Sequence, residues 1–129
     1  MGDRALELQK RTTSFALRIL RLFRSLPSCP ESRIIGQQLL RSATSVAANY
    51  RAACRARSRP DFVNKLGIVE EESDETLFWL EFLTDAGLVR RERLNDLISE
   101  AKQLTAIFVS SRQTAKLKNR QLAIGNRKS

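Results

Sequence analysis

Apolar residues recur along this chain at intervals of three and four, the spacing of one face of an α-helix. Leu8, Phe15, Ile19, Leu22, Phe23 and Leu26, with Thr12 filling the gap, predict a first helix from near Asp3, a good N-cap. Leu6, Leu17 and Leu20 fall off that stripe and form a second apolar set on the solvent side. Pro27 and Pro30 break the pattern, and Ser28 or Ser32 is a candidate cap for the next helix. A second helix is predicted over 32–57, with Ile35, Leu39, Ala43, Val46, Tyr50 and Ala53 or Cys54 facing inward. Small residues crowd its length, which lets a neighbouring helix approach closely. Asn49 lies near the packed side and is expected to find hydrogen-bond partners that set helix register.

Ser58, Pro60 and Asp61 mark the start of a third helix: a capping side chain, a proline in the first turn and an acid at the positive dipole end. Its stripe reads Phe62, Leu66, Val69, Ser73, Thr76 or Leu77, Leu80 and Leu83. Ile68, Phe78, Trp79 and Phe82 widen the apolar sector, as in a helix that is central in a bundle or shared between subunits. Gly87 fits a left-handed stop, with Leu88 folding back. A fourth helix is predicted from about Arg90 to Lys116, on Leu94, Leu97, Ala101, Leu104 and Phe108. The pattern thus predicts an all-α, antiparallel up-down-up-down four-helix bundle over 1–116. A basic, disordered tail is expected over 117–129.

Charge sharpens this picture. The 129 residues include 23 Lys and Arg against 14 Asp and Glu, a formal net charge of +9. Between Asp61 and Asp85 stand eight acids and one base, a net −7, so the remainder carries +16. Acids of the third helix can pair with arginines of its neighbours, and the surplus arginine suits phosphate or carboxylate recognition. Arg51, Arg55, Arg57 and Arg59 are the first candidates for contact with nucleic acid, RNA or DNA; Arg18, Arg21 and Arg24 are the second. The same excess would also be carried by a plain solvated helical surface. Leu6, Leu17, Leu20 and Trp79 are the candidates for an oligomer interface.

Chemistry-bearing motifs are absent. The chain has no His, so the usual neutral-pH acid–base group is missing. No phosphate-cradling glycine loop or nucleophile motif occurs, and two cysteines without histidine make no usual zinc site. Neither an enzyme nor a cofactor or metal is expected. No apolar run nears the roughly 18 residues of a membrane span, no signal peptide is evident, and a cytoplasmic protein with free thiols is expected.

The central stretch resembles a bacterial family. It carries Gln38-Leu39-Leu40-Arg41-Ser42-Ala43, Ser45-Val46, Asn49, then Ser58, Asp61-Phe62, Leu66-Gly67-Ile68, Glu70 and Glu75. This is similar to the small four-helix-bundle proteins encoded in intervening sequences of 23S rRNA genes, and to the accessory variability determinant of diversity-generating retroelements. The resemblance covers about half the chain. It implies a four-helix protomer that assembles into a barrel-like homopentamer. For the retroelement member it implies a basic surface that binds nucleic acid and a reverse transcriptase. Where many members continue with Ile-Ala-Glu-Gly, this chain has Tyr50-Arg51-Ala52-Ala53. An acid-bearing run has become an arginine-bearing one, which makes that surface more basic. The reading that results is a non-enzymatic, oligomeric protein that binds nucleic acid without sequence specificity. The alternative is an adaptor that docks a partner enzyme such as a reverse transcriptase.

Overall fold

The computed structural model describes residues 2–128, with side chains as far as Gly125. Four helices follow one another: α1 (Asp3–Arg24), α2 (Pro30–Cys54), α3 (Arg59–Asp85) and α4 (Arg91–Lys128). Each packs on its chain neighbour, α2 against α3 most extensively, and α1 meets α4 along a lighter seam. This is the antiparallel bundle that the sequence pattern predicts.

The turns show why the helices begin and end where they do. Ser58 caps α3 by accepting from the Asp61 backbone N–H at 3.2 Å. The Asp61 carboxylate reaches back to the Arg57 N–H and takes a bond from Lys65 at 2.7 Å. The α3–α4 turn closes with Gly87 at φ 72°, a left-handed conformation that a side chain would strain. The Leu88 N–H then bonds to the Leu83 carbonyl and the Gly87 N–H to the Thr84 carbonyl, which satisfies the last carbonyls of α3.

Other ends differ from expectation. Gly2, not Asp3, takes the N-cap position of α1, and Asp3 sits in the first turn. Neither Ser28 nor Ser32 caps α2. Cys29 stands at the N-cap, Pro30 opens the helix, and Ser32 is buried and takes a bond from the Cys29 thiol. The α2 helix stops at Cys54, short of the predicted Arg57, because 55–58 form the turn. Asn49 bonds to the Ser45 carbonyl and hydroxyl on its own helix, so it does not set the register between helices.

That register is held instead by hydroxyl pairs. The buried Thr76 hydroxyl donates to the Ser42 hydroxyl at 2.9 Å, joining α3 to α2. Ser73 and Thr105 share a bond of 2.6 Å between α3 and α4. Around them Leu39, Leu66, Val69, Leu80, Leu83, Leu94, Leu104 and Phe108 are sealed from solvent. Ile19 and Phe15 join them from α1, and Val63 rather than Phe62 opens the inner face of α3. Gly36 is the close-approach point of α2 and the end of α1. A Cβ there would come within 2.8 Å of Leu26 Cδ1 and 2.9 Å of Phe23 Cδ1.

The largest departure is at the C-terminus. In place of a disordered tail after Lys116, α4 continues unbroken to Lys128; Ser129 lies outside the described residues. The last buried side chain of this helix is Ala115. Beyond it roughly 20 Å of helix projects, at 1.5 Å per residue.

Candidate nucleic-acid interface

The arginines divide into those held by carboxylates and those left free. Arg11 of α1 grips Glu100 of α4 with two bonds, 2.8 and 2.6 Å, and takes Gln103 as well at 2.9 Å. Arg41 of α2 spans to Glu72 and Glu75 of α3. Arg112 of α4 pairs with Glu70 of α3. These bridges stitch neighbouring helices and tie up much of the acidic charge of α3. The Arg11 guanidinium holds the Glu100 carboxyl below its usual range, against a smaller opposing effect of burial.

None of Arg51, Arg55, Arg57, Arg59, Arg18, Arg21 and Arg24 makes an ion pair among the described residues. All are exposed except Arg18, which is half-buried. They do not form one patch. Because the helices run antiparallel, Arg55, Arg57 and Arg59 stand at the α2–α3 turn, while Arg21 and Arg24 stand at the far end of α1. The two ends are separated by the length of α2, roughly 35 Å. Arg51 is in the last turn of α2, near Arg55, and stands on the rim of a groove that α1 and α2 share.

Each end gains basic residues that sequence reasoning did not join to it. At the α2–α3 turn, Arg4 lies close enough to the Tyr50 phenol to act on it electrostatically. Tyr50 itself is core: it packs against Phe108 with ring centroids 5.6 Å apart, and burial, reinforced by Cys54, pushes its phenol up. The extended α4 brings exposed Lys116, Lys118 and Arg120 past the same end. No acid follows Glu100 in the chain, so this arm is uniformly positive. At the opposite end Arg18 and Arg21 line a shallow cleft with Arg93 and the carboxylate of Asp96, and the Arg93 guanidinium donates to the Ser25 hydroxyl. Arg90 and Arg91 are exposed beside it. The signal for this second pole was the basic run Arg90-Arg91-x-Arg93, whose proximity to α1 only the bundle topology reveals.

A family model described as 23S rRNA-intervening sequence protein matches residues 4–110. The chain belongs to this family. It is also similar to a solved structure, a protein of unknown function from the S23 ribosomal protein family from Bacteroides thetaiotaomicron. The two share 32% identity and a TM-score of 0.78, over 84% of this chain and 97% of that one. No curated protein matches it. The family match ends within α4, so the projecting basic arm lies beyond the part this chain shares with the family model.

The proposed oligomer residues are also placed. Leu6 and Leu17 are exposed and Leu20 is half-buried; Leu17 and Leu20 line the α1–α2 groove and Leu6 does not. Trp79 lies partly against the core, its ring in contact with exposed Phe78 and Phe82. Both cysteines are free thiols. Among the described residues no cluster of His, Cys, Asp and Glu is placed to hold a metal, and no helix is long and apolar enough to cross a membrane.

Proposed function

We propose that this protein is a non-enzymatic, oligomeric nucleic-acid-binding protein of the cytoplasm, contacting the phosphate backbone without reading sequence. The observation that carries this reading is the partition of the arginines. Carboxylates neutralise the inter-helix ones, while Arg55, Arg57 and Arg59 make no ion pair among the described residues and stand at the end where the basic α4 arm emerges. Each phosphate such a residue neutralises releases counterions, a gain that does not depend on base identity. Beside Arg57 and Arg59 the aromatic side chains are the half-buried Phe62 and the buried Tyr50, while Phe78 and Phe82, the exposed aromatics among the described residues, sit among carboxylates on α3. The family description names 23S rRNA, so RNA is the first ligand to measure.

The test is fluorescence anisotropy with labelled RNA hairpins and duplex DNA of scrambled sequence across a salt series. The expected result is similar affinity for scrambled sequences and a steep loss as salt rises. No binding at low salt would refute the reading. Retention of a partner enzyme such as a reverse transcriptase after nuclease treatment, with weak affinity for free nucleic acid, would favour the adaptor role instead. Assembly into a homo-oligomer, a pentamer by the resemblance, belongs to the same proposal and would multiply each modest patch.

A further inference from the structure

The outer face of α3 is an unusual mixture. Ile68, Phe78 and Phe82 are 44, 54 and 41% exposed. Phe78, Trp79 and Phe82 form a ring cluster with centroids 4.9, 5.8 and 5.9 Å apart. Trp79 turns inward against the core, so Phe78 and Phe82 are the rings that this face presents to solvent. Glu71 and Asp74 are exposed on the same helix and lie outside the ion pairs of the described residues. Those carboxylates repel phosphate, so the aromatic ridge is not a base-stacking platform. It calls for a protein surface that is apolar at its centre and positive at its rim.

The same chain presents such a surface on another side. Between α1 and α2 runs an open groove of about 710 Å³. Its floor is Ala16, Leu17, Leu20, Leu40, Ala47 and Ala48. Arg51, which forms no ion pair among the described residues, stands on its rim, and Thr13, Thr44 and Gln37 supply side-chain oxygens. Small residues on the floor leave room for large knobs, and aromatic anchors in such pockets dominate interface energetics.

We propose that this groove receives the aromatic ridge of α3 from a second copy of the chain. The inference rests on the oligomeric reading above and specifies it. Phe78 and Phe82 enter the groove, and the exposed acids of the ridge, Glu71 and Asp74, meet Arg51 at the rim. Ridge and groove belong to different helices, so the contact is head-to-tail, and each copy keeps one free face for the next. Stacking would cover the acidic side of α3 and leave the two arginine poles open. It would let a chain of net charge +9 self-associate: the segment 61–85 is negative, and the charged side chains that line the groove are Arg51 and the carboxylate-held Arg41.

The experiment uses two full-length variants with exposed substitutions. The ridge variant carries Phe78→Glu and Phe82→Glu; the groove variant carries Leu17→Glu and Ala48→Glu, with Ala48→Glu alone as a milder second version. Circular dichroism confirms the helical fold, and sedimentation velocity reads the mass. Each variant alone is expected to sediment as a monomer, and an equimolar mixture as a 1:1 pair and nothing larger. One intact ridge and one intact groove remain in that mixture. If both variants assemble like the parent chain, the proposed contact is wrong while the oligomeric reading stands. If only one variant is monomeric, or the mixture forms no pair, the ridge packs on some other surface and the inference also fails. A parent chain that stays monomeric at all concentrations removes both.

Discussion

Replacing Arg55, Arg57 and Arg59 together with Gln tests the arginine partition directly. All three side chains are exposed and none is in an ion pair among the described residues. The turn itself is built from backbone groups and from Ser58 and Asp61: the Arg55 N–H bonds to the Ala52 carbonyl and the Arg57 N–H to Asp61. Gln preserves those bonds, so the unfolding free energy from urea denaturation should hold within about 0.5 kcal/mol of the parent. Binding should change far more. Each lost phosphate contact lowers the log–log salt slope by about 0.9 on duplex DNA, so three lower it by about 2.7. Between 50 and 200 mM salt, three contacts account for about a 40-fold change in affinity, which the variant should lose. Anisotropy with one duplex at four or more salt concentrations measures the slope. Arg41→Gln is the control: its guanidinium is occupied by Glu72 and Glu75, so the slope should stay and stability fall by about 1 kcal/mol or less. An unchanged slope in the triple variant, or an equal drop in the control, would refute the reasoning.

The remaining predictions concern the bundle. Phe108 is fully buried against Tyr50, so Phe108→Ala should cost about 3–5 kcal/mol, read from urea denaturation; a loss below about 1 kcal/mol would contradict its place in the core. Glu100 has a folded pKa below its unfolded value, so its bond to Arg11 stabilises above the ordinary glutamate range. That contribution should disappear as pH falls through the depressed folded pKa. Glu100→Gln should remove this part of the acid dependence of the thermal midpoint, and an unaltered pH profile would count against the bridge. Truncation after Lys116 removes no buried side chain of the described residues, so the unfolding free energy from urea denaturation should stay within about 0.5 kcal/mol. The truncated protein should still lose affinity for nucleic acid, and parental affinity would show that the arm takes no part.

The sequence by itself determined the four helices, because apolar residues at threes and fours leave few other ways to bury Leu39, Leu66, Leu104 and Phe108. It also determined the α3 start at Ser58 and its stop at Gly87, since capping and left-handed backbone are properties of single residues. The segregation of charge was legible too, down to the pairing of acids in the third helix with neighbouring arginines. The position of each arginine in space was not. Arg18 and Arg55 look alike along the chain, yet the antiparallel topology sends them toward opposite ends, and Arg93 joins Arg18 across a seam of distant residues. Tertiary packing alone decided that Arg11, Arg41 and Arg112 are held by carboxylates while Arg55, Arg57 and Arg59 make no ion pair among the described residues. It also decided that Asn49 bonds locally while Thr76 and Ser42 link two helices. The length of α4 escaped the pattern for a related reason. Periodicity reports only residues buried against a neighbour, and a helix that projects beyond its neighbours has none to report.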